Sequence, residues 1–529
     1  MRSLGKSKRY VFGLMALLTA ALFALSGCGS APAGSGGSSG GKAAKVMTVG
    51  VNLFSTTLDP HKDYDGWFVV RYGLGETLAR VSDEMTLTPW LATKWEMVDE
   101  HTWKITLRDG VKFHTGTPMT AEAVKASLAR SVATNKRGPA NLSIDAMEAA
   151  GQVLTIHTKE PRPDLIYELC DPYCVIVDVK AAEGPEGFRK TVAGTGPFKV
   201  KDFTENISVT VTAFDEYWGG RAKVDEAIFR YLNDPDTRMM SLQSGDIDAS
   251  INIDSKNLQL FSDKAKYTIS RCPSMRATYV FFNTKNRFLQ DKNLRTALIM
   301  AADKKNYLKS VLGGVGVEGV CLYPTSLPYR SAELTYPAFD PAGAKKLLAD
   351  NGYVDQNGDG HLEKDGETVT LTISCYTSRA EIPGFATAMQ ADFEKLGIAT
   401  KIVTYDTLPR EKFTAGDYDI GFTSFTPSTN TRPLAGLRTA FVKDAIENYY
   451  NYFYDERVEE IAQALPTEAD YGKQDQMAFE AQQRILDART NIFLAYTENL
   501  YVSNHRVKNF NAHAFDYYVM DNQVDIESK

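Results

Sequence analysis

From Val46 onward, short stretches in which apolar and polar residues alternate give way repeatedly to stretches whose apolar residues recur every three or four positions. Val46-Met47-Thr48-Val49-Gly50-Val51 has the period of two that sends successive side chains to opposite faces of a strand. Trp103-Lys104-Ile105-Thr106-Leu107 repeats that period more clearly. It breaks at Asp109-Gly110, a pair suited to a tight hairpin turn because glycine accepts a positive φ. Val153-Leu154-Thr155-Ile156-His157 predicts an antiparallel neighbour for that strand. Thr120 predicts a helix N-cap, with Ala123, Val124 and Leu128 on one apolar face behind it. Farther along, Asp340-Pro341 predicts a helix through Leu348 that ends at Gly352. Val369 to Tyr376 predicts a strand, Phe385 to Leu396 a helix and Lys401 to Thr404 another strand. Helix and strand taking turns predict an α/β chain with a parallel or mixed sheet.

The start of the chain has a different texture. Arg2, Lys6, Lys8 and Arg9 form a cationic cluster, and Val11 to Leu25 is an uncharged apolar stretch. That stretch is short for a membrane span of roughly 20 residues, and its flanks are those of a secretory signal. It closes on Leu25-Ser26-Gly27-Cys28, which resembles the bacterial lipobox. The expectation is a signal peptide over 1–27, a lipidated Cys28, and an extracytoplasmic protein anchored to the cell membrane. Residues 28–45 are almost wholly Gly, Ser and Ala, too poor in apolar surface to fold, and read as a flexible tether. Gly36-Gly37-Ser38-Ser39-Gly40 matches a nucleophile-elbow pattern within that tether. It lies between no strand and helix, so the match is compositional.

Composition narrows the function. A net charge of −7 argues against a nucleic-acid surface. The chain beyond the tether is too long for one core, so two or three lobes are expected. Cys170, Cys174, Cys272, Cys321 and Cys375 follow Cys28 at scattered spacings, which make no disulfide framework and no zinc site. Buried structural thiols are the expectation for Cys170 and Cys174, with pairing or a soft metal as alternatives. The seven histidines are dispersed, the acids follow no paired pattern, and no HExxH is present. No catalytic residue and no resident metal are assigned, and the chain reads as a non-enzyme. Asp355, Asn357 and Asp359 make the first half of a calcium loop, with Glu363 at its ninth position but Gly366 at its twelfth. Calcium is a weak expectation there.

Ordered motifs carry the reading further. Leu91-Ala92-Thr93-Lys94-Trp95 is followed by Thr102-Trp103-Lys104-Ile105-Thr106-Leu107-Arg108-Asp109-Gly110-Val111-Lys112-Phe113-His114. Leu58-Asp59-Pro60-His61, Gly194-Thr195-Gly196-Pro197-Phe198, Tyr217-Trp218-Gly219-Gly220 and Pro235-Asp236-Thr237-Arg238 occur as well. So do Gly245-Asp246-Ile247-Asp248, Phe282-Asn283-Thr284, Asp340-Pro341 and Gly416-Asp417-Tyr418-Asp419. In this order the chain resembles the peptide- and nickel-binding family, family 5, of bacterial ABC-importer solute-binding proteins. The resemblance implies a two-lobed periplasmic-binding-protein-like clamshell of type II, its first lobe enlarged by an extra subdomain. It places the first lobe at 46–283, the second at 284–497 and the return to the first at 498–529. It also implies a small ligand, a nickel or other metal chelate or a short peptide, delivered to a permease and its ATPase subunits. A cell-surface receptor or chaperone using the same clamshell is the alternative.

Ligand-facing residues follow from position in the resemblance. Tyr64, Trp67 and Phe68 would supply apolar walls and Arg71 a cation, although Trp67 and Phe68 suit core packing as well. Asp171 and Tyr173 fall near a cleft position where the nickel-binding branch carries Arg. Phe425, Thr426, Asn430 and Arg432 lie in a stretch that resembles a ligand-gripping loop. That loop lacks the Asp with which peptide binders pair the ligand's ammonium group, and Arg432 would match a carboxylate instead. His61 reads as a cap of the Pro60 turn rather than a metal ligand.

Overall fold

The computed structural model describes residues 44–528, apart from 183–185, 330, 429, 446–447 and 449–451. Cys28 and all but the last two residues of the tether lie outside the described residues. The strands of the main sheet are β1 (Val46–Val51), β2 (Phe198–Thr204), β3 (Ser208–Ala213), β4 (Glu226–Tyr231), β5 (Ala249–Ile251), β6 (Tyr267–Phe282), β7 (Thr370–Tyr376), β8 (Ala399–Tyr405), β9 (Ile420–Phe425) and β10 (Asn491–Asn504). They run in the order β8-β7-β9-β6-β10-β5-β1-β4-β3-β2, and a short strand Val317–Glu318 pairs with β10. β1 lies parallel to β4 and β5, and β7 lies parallel to β8 and β9; the other pairings are antiparallel. The sheet is therefore mixed, as the alternation of helix and strand predicts.

β6 and β10 are the long strands that hold this sheet together. Tyr267 to Pro273 pair with β10 beside β5, and Ala277 to Phe281 pair with it beside β9. Between those stretches the register shifts, and Ser274, Met275 and Arg276 fall out of the ladder. A bulge of this kind bends a strand and re-aims its side chains. Ser274 Oγ satisfies the interruption by donating to the Thr497 carbonyl at 2.8 Å.

Helices form where their ends are capped. Thr120 accepts from the Ala123 amide at the start of Ala121–Thr134, Asp234 from the Thr237 amide ahead of Pro235–Ser244, and Asp340 from the Gly343 amide ahead of Pro341–Asp350. One large core runs from Met47 on β1 through Ile105, Val124, Phe229 and Tyr279 to Ile485. A second gathers Phe282, Leu298, Leu371, Phe385 and Ile420 between β7, β9 and the helices Lys292–Ala301 and Glu381–Lys395.

A separate antiparallel sheet orders Ala92–Asp99, Thr102–Leu107, Val153–Thr158 and Ile144–Ala150 side by side. The pairing expected between Trp103 and Ile156 is present. Asp109-Gly110 makes no hairpin between those strands, which is a correction. Gly110 takes φ +74, but it turns the chain out of the sheet toward a small loop in which Phe113 N–H donates to the Thr117 carbonyl. Gly194 and Gly196 thread a narrow crossing: a β-carbon on Gly194 would lie 2.1 Å from the Leu74 carbonyl oxygen, and one on Gly196 2.3 Å from that of Gly73. Among the described residues no helix is long and apolar enough to cross a membrane.

Candidate ligand-binding cleft

A cavity of 690 Å³ opens where the out-of-register step of β6 meets β10. Its walls come from both sides of these strands. Asn252, Asp254 and Arg238 lie on one side, Thr377, Arg379 and Asp406 on the other, and Arg276, Asn499 and Asp516 at the base. A much smaller cavity adjoins it, with Arg276, Asn499 and Asp516 common to both, beneath Trp67, Thr426 and Tyr517.

Arg276 is the pivot of the site. Its side chain is 14 % exposed, with Nη2 3.7 Å from Asp516 Oδ2, and Nη1 donates to the Ser424 carbonyl at 3.3 Å. Burial, with Arg379 close by, pulls its basicity down to about 10. Asp516 also faces Arg71, whose Nη2 lies 3.5 Å from the same carboxylate, while Arg71 Nε and Nη2 donate to the Asp516 backbone carbonyl at 3.2 and 3.1 Å. One carboxylate thus serves two guanidinium groups. Arg71 Nη1 has no hydrogen-bond partner among the described residues, although the residue is only 1 % exposed. Around Asp516 two guanidinium groups share one carboxylate, although the cavity as a whole is lined by six acids (Asp234, Asp254, Glu381, Asp406, Glu498 and Asp516) and three arginines (Arg238, Arg276 and Arg379). An incoming anion would therefore be received by Arg276 locally rather than by the net charge of the walls.

The sequence candidates do not gather in one place. Trp67 and Thr426 line the smaller cavity. The Trp67 ring packs 5.1 Å from Tyr517 and 6.2 Å from Tyr64, and its indole N–H is buried without an acceptor among the described residues. Tyr64, Asp171 and Tyr173 surround Arg137, which sequence reasoning missed. Its guanidinium lies 4.6 Å from the Tyr64 ring, 4.5 Å from the Tyr173 ring and 3.1 Å from Asp171 Oδ2. Phe68 packs against the large core and under Arg71, and Phe425 meets Tyr279 edge-on at 5.9 Å.

Asn430 Oδ1 accepts from the Arg432 amide at 3.0 Å and from Ser428 Oγ at 3.3 Å, which shapes the loop. Arg432 lines neither cavity. It points instead to Asp164, Tyr167, Tyr471 and Gln474.

His61 needs correction. It is fully buried, its Nε2 bonds the Val175 carbonyl at 2.9 Å, and Nδ1 receives Arg130 at 2.8 Å. Its backbone N–H, not its ring, caps Asp59 at 3.1 Å. With both nitrogens engaged and burial holding its basicity down at about 4, the ring is neutral and interior. Cys170 and Cys174 are free, buried thiols, which burial pushes above the ordinary thiol range.

In the loop at Asp355, single oxygens of Asp355, Asp359 and Glu363 lie within 4.8 Å of one another. Much of their capacity is already used. Asp355 accepts the Gly358 and Gly360 amides, and Glu363 accepts the Gln356 amide and Asn357 Nδ2. None of these residues borders either cavity.

A mixed α/β body with two long strands running beside an open, charge-lined cavity has the type II clamshell fold of the periplasmic binding proteins. The sequence matches the profile of the bacterial extracellular solute-binding proteins, family 5 (middle region), over residues 86–448. The chain belongs to that family. It is 25 % identical over 519 residues to the nickel-binding protein NikA of Staphylococcus aureus, covering 98 % of this chain and 99 % of that one. It is 25 % identical over 418 residues to the oligopeptide-binding protein AppA of Bacillus subtilis, covering 75 % and 76 %. A crystal structure of a nickel ABC transporter from Bacillus halodurans superposes with a TM-score of 0.74 at 29 % identity, over 91 % of this chain and all of that one (100 %).

Proposed function

We propose that this chain is the extracytoplasmic binding subunit of an ABC importer, held to the membrane through a lipid on Cys28. It closes on a small solute bearing at least one carboxylate and presents that solute to the permease. The observation that carries the reading is the cavity at the bulge of β6, walled from both sides of the long strands and floored by Arg276. In this reading residues 46–283 and 498–529 form one lobe and 284–497 the other, and β6 and β10 bend where their register breaks. A solute that touches both walls stabilises the closed arrangement by its differential affinity for it, and the permease reads that arrangement.

The carboxylate would sit against Arg276 at the floor and Arg379 on the wall, and an acceptor oxygen of the solute would take the Trp67 indole N–H. Short peptides and metal chelates both meet this requirement. Among the described residues the large cavity is lined by no His, Cys or Met, which supports a metal arriving inside an organic chelator that supplies its donors. Relatives similar over most of their length are named as transport binding proteins, which does not favour the receptor or chaperone alternative.

Native mass spectrometry of the protein purified from its own host, with metal analysis, tests this reading. The expected result is a bound small acidic molecule, with or without nickel. The reading falls if the protein carries no solute and neither nickel(II)–histidine nor tri-alanine produces a heat of binding.

A further inference from the structure

Arg432 is deeply engaged, yet it lines neither of the two adjoining cavities. Its side chain is 6 % exposed, with Nε 3.4 Å from Asp164 Oδ1. The guanidinium stands 4.4 Å from the ring of Tyr471 and 5.4 Å from that of Tyr167, and it donates to Gln474 Oε1. Gln474 Nε2 in turn donates to Asp164 Oδ1 at 3.3 Å, and Tyr471 Oη donates to the Pro163 carbonyl at 3.2 Å. Tyr167 and Tyr471 meet edge to face at 5.9 Å.

The contacts of Arg432 with Asp164 and Tyr167, of Gln474 with Asp164 and of Tyr471 with Pro163 and Tyr167 join two parts of the chain that the long strands separate, whereas those of Arg432 with Tyr471 and Gln474 lie within one part. Pro163, Asp164 and Tyr167 precede β6, whereas Arg432, Tyr471 and Gln474 lie between β6 and β10. Asp475 is the other acidic group facing Arg432, and Arg162 is a second cation facing Asp164.

We propose that Arg432, held against Tyr471 and Tyr167 and paired with Asp164, is a latch that holds the two lobes closed without touching the solute. The inference rests on the hinged reading above. A guanidinium that meets aromatic rings and a buried carboxylate from the far side gains that stabilisation only when both sides are present. Opening the lobes returns every one of these groups to water. The latch therefore raises the population of the closed arrangement whatever solute is bound. Apparent affinity rises by the same factor for all solutes, since it scales with the fraction of protein competent to hold them. Arg432 is then a positioning residue rather than a ligand contact.

Small-angle scattering of the ligand-free protein, together with calorimetric titration of nickel(II)–histidine and tri-alanine, tests the latch. Arg432→Gln and Tyr471→Ala should each enlarge the radius of gyration of the ligand-free protein. Each should weaken whichever probes bind by the same factor, roughly fivefold to tenfold. Arg432→Lys, which keeps the charge and a cation–π attraction but loses the planar fork and its stacking, should recover part of both changes and guards against misfolding of the glutamine variant. Unchanged scattering in Arg432→Gln overturns the latch, and so does a loss confined to one probe, since that marks direct contact with the solute. The hinged reading is separable. If scattering responds to a probe but not to Arg432→Gln, the latch alone is wrong. If it responds to neither, the hinge is wrong too.

Discussion

Replacing Arg276 by Gln removes one of the two guanidinium groups that share Asp516 while keeping a polar side chain of similar reach. The structure lets the two consequences be separated. Asp516 stays paired with Arg71, 3.5 Å away, so no buried carboxylate is left alone and folding should change by no more than about 1 kcal/mol. Binding should change far more. A carboxylate brought to about 4 Å from the Arg276 guanidinium gains about 4 kcal/mol at the effective dielectric of a partly buried site. Dehydrating both ions offsets part of that, leaving roughly 2 to 3 kcal/mol. The dissociation constant should therefore rise roughly 30- to 150-fold. Calorimetric titration with tri-alanine and with its C-terminal amide makes the measurement specific. In the wild-type protein the amide should bind weakly, by about the margin that Arg276→Gln costs tri-alanine, and the variant should scarcely distinguish the two. If tri-alanine binds and the variant keeps wild-type affinity, or if it still prefers acid over amide by the full margin, Arg276 does not receive the carboxylate.

Three further outcomes follow from the packing. Gly194→Ala should destabilise the protein by about 3 kcal/mol, read as a lower urea midpoint, because its β-carbon would lie 2.1 Å from the Leu74 carbonyl oxygen and backbone cannot retreat as a side chain would; an unchanged midpoint would show that the crossing yields. His61 is neutral in the fold, its basicity held down at about 4 by burial, whereas an unfolded histidine takes up its proton near 6.5. Its contribution is therefore complete above pH 6.5 and lost as the pH falls toward 4, by at most about 3 kcal/mol, and a His61→Gln variant should show a flatter stability profile across that window. Cys170 and Cys174 should resist a thiol reagent such as dithionitrobenzoate in the native protein and react fully in guanidinium, since both are buried and their thiols are pushed toward the protonated form; rapid native labelling of either would contradict the packing around the helix Leu165–Glu168.

Local elements were legible because local chemistry decides them. Thr120 and Asp340 cap helices where their spacing predicts, and the alternation in Trp103 to Leu107 and Val153 to His157 matches two paired strands. The Asp109-Gly110 turn was misplaced because a positive φ states that the chain bends, not which strand it bends toward. The floor of the site was missed for a different reason. Arg276 and Asp516 are far apart in sequence, and each reads alone as an isolated charge among apolar neighbours. Both nevertheless left a signal. Arg276 interrupts an apolar run just after Pro273, and proline inside a strand pattern marks an edge or a bulge. Asp516 sits between Phe515 and Tyr517 in an aromatic stretch that would bury it, and a buried carboxylate requires a cation. Arg432 was assigned by its loop to the cavity, whereas its direction is set by Asp164 and Tyr471, which no local pattern could have supplied.

If the chain closes on its solute as proposed, the bulge would make capture and closure one device. A regular β6 would keep its ladder to β10 unbroken and resist bending, since each displaced residue would forfeit ladder bonds. Releasing Ser274, Met275 and Arg276 from the ladder removes that penalty over three residues and at the same time aims Arg276 into the cavity. The C-terminal segment is tied to the same point. Met275 N–H donates to the Ala514 carbonyl at 3.3 Å, Asn499 Nδ2 donates to the His513 carbonyl at 2.7 Å, and Asp516 faces Arg276. A solute anion that settles on Arg276 competes with Asp516 for it, and Asp516 is fixed by its backbone to Arg71 on the helix Asp65–Arg71. In the proposed reading, occupancy is thereby felt at the longer of the two register breaks between β6 and β10.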